Sequence, residues 1–195
     1  QKDTTLMNIL RQIIRNIITE MAMKQGNDLP AGYYFECAIG TDAAYNMPQI
    51  ILVAENGYVD RRFKVECFFA RQDYDDAEAE KELGYKCYDM RRIDSDPGGF
   101  GPLVAEIAIE WTTLLGGILF PDRREMSKSA QRMWNKFSGR PGFEEFIHPT
   151  LGTKGYRRPP ARGNTIKKLE AVNQLFRRRG TGQSKEFSRL SRDFQ

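Results

Sequence analysis

The residues with the plainest chemical use lie in the run Asp94-Ser95-Asp96-Pro97-Gly98-Gly99-Phe100-Gly101-Pro102. Gly98, Gly99, Phe100 and Gly101 stand where a strand-like stretch gives way to an apolar helical one. Glycines there let backbone N–H groups approach a phosphate, and the dipole of the helix that follows favours negative charge. The plainer use of the same glycines is a tight turn. Candidate general bases are Glu36, Glu66 and Asp89 on expected strands, and Glu106 and Glu110 on an expected helix. Each is expected to face solvent. The single histidine, His148, lies in Phe146-Ile147-His148-Pro149 and reads as a surface or packing residue rather than a triad member. Cys37, Cys67 and Cys87 with one histidine cannot supply a zinc finger with paired ligands. They are too few for a disulfide scaffold, and an odd count fits a reducing compartment or simple burial.

The elements that would position these residues follow from periodicity. Leu6, Ile9, Leu10, Ile13, Ile14, Ile17, Ile18 and Met21 recur at helical spacing, and Gly26-Asn27 ends that segment. Residues 33–40 and 49–54 read as strands. Asn56-Gly57 is a tight-turn dipeptide, and residues 63–69 complete a hairpin. Residues 73–84 are acidic and read as a short exposed helix or loop. Residues 85–93 alternate as a fourth strand. After the Gly/Pro turn, residues 103–115 form an apolar helix ended by Gly116-Gly117, and Ile118-Leu119-Phe120 a short buried strand. Ser127 caps a helix through Phe137. Residues 139–163 read as loop. Asn164 caps a last helix with Ile166, Leu169, Val172, Leu175 and Phe176 on one side. A strand–turn–helix–strand unit after a meander implies α/β architecture with a mixed sheet.

This order of elements resembles the GNAT superfamily of N-acetyltransferases. More narrowly, Gly99-Phe100-Gly101-Pro102-Leu103, then Gly116-Gly117-Ile118-Leu119-Phe120-Pro121-Asp122-Arg123-Arg124-Glu125-Met126-Ser127, then Ala130-Gln131-Arg132-Met133-Trp134 are similar to phage-associated GNAT-like proteins. The resemblance covers about residues 33–140. It implies a mainly antiparallel mixed sheet flanked by helices, with acetyl-CoA pyrophosphate on the turn at Gly98, Gly99, Phe100 and Gly101. Two departures stand out. Asp96 occupies the position where the family has an Arg or Gln, so a carboxylate faces the pyrophosphate. Trp134 occupies the position of the tyrosine that protonates the leaving thiolate, and an indole N–H is no acid at ordinary pH. The resemblance with these departures implies weak or absent acetyl-CoA binding. The expected role is a structural or interaction component of a phage virion. The alternative is an active N-acetyltransferase moving acetyl from acetyl-CoA to an amine.

Composition bounds the rest. Hydrophobic residues are 40% and charged residues 29% of 195, so the chain is not compositionally disordered. No apolar run reaches the roughly 20 residues of a membrane-spanning helix. Arg11, Arg15 and Glu20 interrupt the first apolar stretch, so no export signal is expected, and the host cytoplasm or a virion is the expected location. Residues 151–195 hold 12 Lys/Arg against 3 Asp/Glu, a net of +9, whereas residues 1–150 carry −5. The expected division is an N-terminal helix (1–30), a GNAT-like domain (31–150) and a basic C-terminal extension (151–195). Both appendages are expected to contact protein partners or copies of the chain. The extension can also meet a nucleic-acid backbone.

Overall fold

A computed structural model describes residues 33–39, 48–54, 64–71, 76–96, 100–122, 126–161, 163–171 and 175–177. The expected N-terminal helix, the Asn56-Gly57 turn, Gly98, Gly99 and the tail beyond Arg177 lie outside these residues. The described elements are β1 (Tyr33–Ile39), β2 (Pro48–Ala54), β3 (Lys64–Arg71), α1 (Ala77–Leu83), β4 (Lys86–Asp96), α2 (Gly101–Leu114), β5 (Gly117–Phe120), α3 (Lys128–Asn135), β6 (Glu144–Ile147), β7 (Lys154–Arg157), α4 (Thr165–Ala171) and β8 (Leu175–Arg177).

The architecture is mixed α/β. The eight strands form one sheet in the order β6-β7-β5-β4-β3-β2-β1-β8. An antiparallel meander, β1 to β4, is followed by α2 and then β5 parallel to β4. The β6–β7 pair closes one side through β7 on β5, and β8 lies parallel to β1 on the other. The register of β3 on β4 shifts between Phe68 and Phe69, where β4 has one more residue.

Strand periodicity divides the core between the two faces. On β4 and β5, Tyr88, Met90 and Leu119 join the main cluster with α2, α3 and α4. Their neighbours Cys87, Ile118 and Phe120 join a smaller cluster with Ala79 of α1. Helix α2 is the centre of the molecule: every residue from Leu103 to Thr113 is buried. A helix buried all round lies between layers rather than over one. Glycine has a positional role at Gly155, where a Cβ would lie 2.5 Å from the Phe120 ring.

Several expectations are corrected here. The stretch 139–163 is not all loop: it contains the hairpin β6–β7. Its strands have four residues each, too short to show a period. The strand expected to end at Ile93 runs on to Asp96, because Lys64, Val65 and Glu66 supply ladder partners for Asp96, Ser95 and Asp94. The last helix is described over Thr165–Ala171, and Leu175 and Phe176 belong to β8 instead. The acidic segment forms α1, but it is not wholly exposed, since Asp76 and Ala79 are buried. Ser127 does cap α3, accepting from the Ala130 N–H at 3.2 Å.

Candidate functional site

The described part of the glycine turn is occupied by the protein itself. The Phe100 N–H donates to Ser95 Oγ at 3.2 Å, and the Phe100 side chain is fully buried. Gly101 opens α2, with Pro102 behind it removing one further N–H. A Cβ at Gly101 would sit 3.7 Å from Met133 Sδ and 4.0 Å from Ile93 Cδ1. Side chains of α3 and β4 therefore pack against the start of α2.

Helix α3 brings Trp134 into the core. Its ring stacks on Tyr156 with centroids 5.9 Å apart and planes within 13°, and meets Phe137 edge-on. Burial, with the nearby Glu145 charge, raises the Tyr156 phenol above its ordinary range, which suits a packed side chain better than a proton donor.

Two carboxylates expected in solvent are buried instead. Glu106 and Glu110 lie one turn apart on α2, with Thr113 a further turn on, so the three share one stripe. The stripe faces the chain that returns after β7. Arg158 Nη1 bridges the Glu106 and Glu110 carboxylates, at 2.8 Å from Glu110 Oε1. The Arg158 backbone N–H donates to Thr113 Oγ1 at 2.9 Å. Arg140 Nη1 reaches Glu106 Oε2 at 2.7 Å. Glu110 accepts the N–H groups of Thr165 and Ile166 at 2.8 and 2.7 Å, and Thr165 Oγ1 donates to Glu106 at 2.6 Å. A carboxylate from α2 thus takes the first N–H groups of α4, the work expected of Asn164, whose side-chain amide donates to Pro159 O. Burial pushes the Glu110 carboxyl up to about 7, against the two N–H bonds and the charges of Lys168 and Arg140 that pull it down. Burial lowers Arg158.

On the opposite face, Asp76, Cys87 and His148 are all buried, with their ligand-type atoms within 4.8 Å of one another. Three mixed donors at this spacing raise both a metal site and a Cys-His-Asp triad. The imidazole decides against both. Its Nδ1 accepts the N–H groups of Thr150 and Leu151, each at 3.3 Å. Nε2 therefore carries the proton and donates it to Asp76 Oδ1 at 3.1 Å. No lone pair remains on the ring to bind a metal or to deprotonate Cys87. His148 is a packing residue, edge-on to Phe120. Asp76 stands at the N-cap of α1 without making a side-chain cap bond, its carboxylate serving the histidine instead.

Of the other candidates, Asp89 is buried, correcting the solvent-facing expectation, and Glu36 is half-buried. The side chains of Glu66 and Asp96 lie outside the described residues, as do Arg123 and Arg124. Sequence reading missed the Glu106–Glu110–Thr113 stripe as a unit. Its signal was there: polar residues at i, i+4 and i+7 in an otherwise apolar helix. Among the described residues no helix is long and apolar enough to cross a membrane. Comparison with family models, curated proteins and solved structures finds no match to the chain.

Proposed function

We propose that this chain is a GNAT-like protein whose acetyl-CoA turn no longer serves a cofactor, and that it works as a structural or interaction component of a phage virion. The observation that supports the first half is the condition of the turn. The Phe100 N–H, a donor such a turn would offer to a pyrophosphate, goes to Ser95 Oγ, and Met133 and Ile93 pack where Gly101 begins α2. The parallel β4–β5 pair joined through α2, after an antiparallel meander, supports the GNAT-like reading. Trp134, stacked in the core, is no replacement for a proton-donating tyrosine. The virion role rests on the likeness of the Asp122–Trp134 stretch to phage-associated proteins, and on the apolar repeat from Leu6 to Met21 and the basic residues that follow Arg177, both of which suit contacts with partners.

Calorimetry with acetyl-CoA tests this reading. No low-micromolar binding is expected. Asp96→Arg, which reverses the charge at the turn, should strengthen binding by roughly 1–3 kcal/mol, the scale of a charge-assisted hydrogen bond. Low-micromolar affinity in the parent protein, together with acetyl transfer to an amine, would establish the active N-acetyltransferase instead.

A further inference from the structure

Helix α3 carries its charges in an order that the rest of the chain does not use. Lys128, Arg132 and Lys136 follow one another at i, i+4 and i+8, with Lys136 as the C-cap. At 1.5 Å of rise per residue they make a row with about 6 Å between neighbours. Lys128 and Arg132 are exposed and Lys136 is half-buried, while Met133, Trp134 and Phe137 take the opposite side of the turn into the core. No Asp or Glu occurs from Met126 to Phe143. Among the described residues no carboxylate pairs with any of the three cations. By contrast, Arg140, Lys154, Arg157 and Arg158, on the chain that follows, each meet a glutamate. Like charges one turn apart repel. Lys128 also stands in the first turn, where the helix dipole opposes a cation, and no acidic residue shares that turn. The row therefore costs the helix stability and gains nothing from the described residues.

We propose that the outer face of α3 binds the sugar-phosphate backbone of duplex nucleic acid. The spacing of the row is close to that of successive phosphates along one strand. Gln131 and Asn135, exposed beside the row, offer amide donors to the same oxygens. The helix exposes no aromatic ring on which bases could stack, because Trp134 lies on Tyr156 in the core. The contact therefore reads charge and not sequence. A membrane surface suits α3 less, since it exposes no large apolar side chain beside the cations to enter lipid. The surface is separate from the glycine turn and does not depend on the fate of acetyl-CoA there.

The test is fluorescence anisotropy of a labelled DNA duplex of about 20 base pairs with the full chain, as salt is raised from about 50 to 200 mM. Each cation that meets a phosphate contributes about 0.9 to the slope of log affinity against log salt. Lys128→Gln, Arg132→Gln and Lys136→Gln together should lower the slope by about 2.7 and weaken binding most at low salt. Lys81→Gln, exposed on α1 across the sheet, should leave the slope unchanged. Lys128→Glu should weaken binding to the duplex and raise the melting temperature of the free protein, a pair of effects that a merely structural lysine would not give. Absence of binding at about 50 mM salt would overturn the proposal. An unchanged slope in the triple variant would move binding to the five cations that follow Arg177, and would overturn the placement. Poly-L-glutamate or phosphatidylserine-rich vesicles bound as tightly as the duplex, with that binding lost in the triple variant, would overturn the partner class.

Discussion

Glu110 combines two demands that usually conflict. Its carboxylate accepts two backbone N–H groups and an arginine, yet it is almost wholly withdrawn from water. Burial dominates and moves the carboxyl from an ordinary 4.5 to about 7. A raised carboxyl means that the folded protein holds a proton that the unfolded chain has released. The stability gained is full below about pH 4.5, falls as pH rises towards 7, and is flat beyond. At about 1.4 kcal/mol per pH unit the whole effect is of order 3 kcal/mol. Denaturant unfolding between pH 4.5 and 8 should show this decline, and Glu110→Gln should remove it from the difference curve. The same decline in both proteins would assign it to other groups. Little of this was legible in the sequence. Glu106 and Glu110 look like the wet face of a helix, because a single chain does not reveal that Arg158 and Thr165 return to meet them. His148 was legible only as a surface or packing residue, since one histidine in a Pro-flanked segment has few partners for catalysis, and its burial decides for packing.

The seven described residues of α4 would not hold a helix on their own. Its order comes from Glu110 at its start and from Ile166 and Leu169 buried in the main cluster. Leu169→Ala should therefore cost about 2–5 kcal/mol, and Lys168→Ala, one position away and exposed, within about 0.5 kcal/mol. Thermal unfolding of the two variants checks the contrast, and equal losses would show that the apolar stripe does not dock the helix. Elements with a full period were readable, β1 to β4, α2 and α3 falling within a few residues of their expected places, and four-residue β5 was readable as the unbroken apolar run after Gly116-Gly117. The hairpin β6–β7 and strand β8 were not, because three or four residues carry no measurable period and their pairing depends on strands already in place. The helical spacing of Ile166 and Leu169 runs on by chance to Leu175, where parallel pairing with Phe35 decides otherwise.

At the scale of the molecule, the outer strands among the described residues are β6 and β8. β6 has four residues, with exposed Glu144 and Glu145, and β8 is described over Leu175–Arg177. Short or charged edge strands discourage pairing between molecules. Leu175→Pro and Phe176→Pro together should break the β1–β8 ladder, since successive N–H groups of a strand point to opposite sides and one of these two faces β1. The expected result is concentration-dependent self-association in sedimentation, with a loss of about 1–3 kcal/mol in stability. A monomeric variant of unchanged stability would show that β8 adds nothing to the edge it covers.

The position of β8 also has a consequence in time. β1 leads the described sheet, but the strand on its outer side belongs to almost the last described segment. A ribosome releases β1 while Leu175 has yet to be joined to the chain. Until then Phe35, Glu36 and Cys37 of the nascent meander lack the strand that β8 will supply, with Phe35 and Cys37 bound for the core. Closing the longest loop comes last and is slow, so the half-made protein passes through a period in which it is most able to pair with another copy. Stalled chains ending before Leu175 should be open to protease at β1, and chains released beyond Arg177 should not.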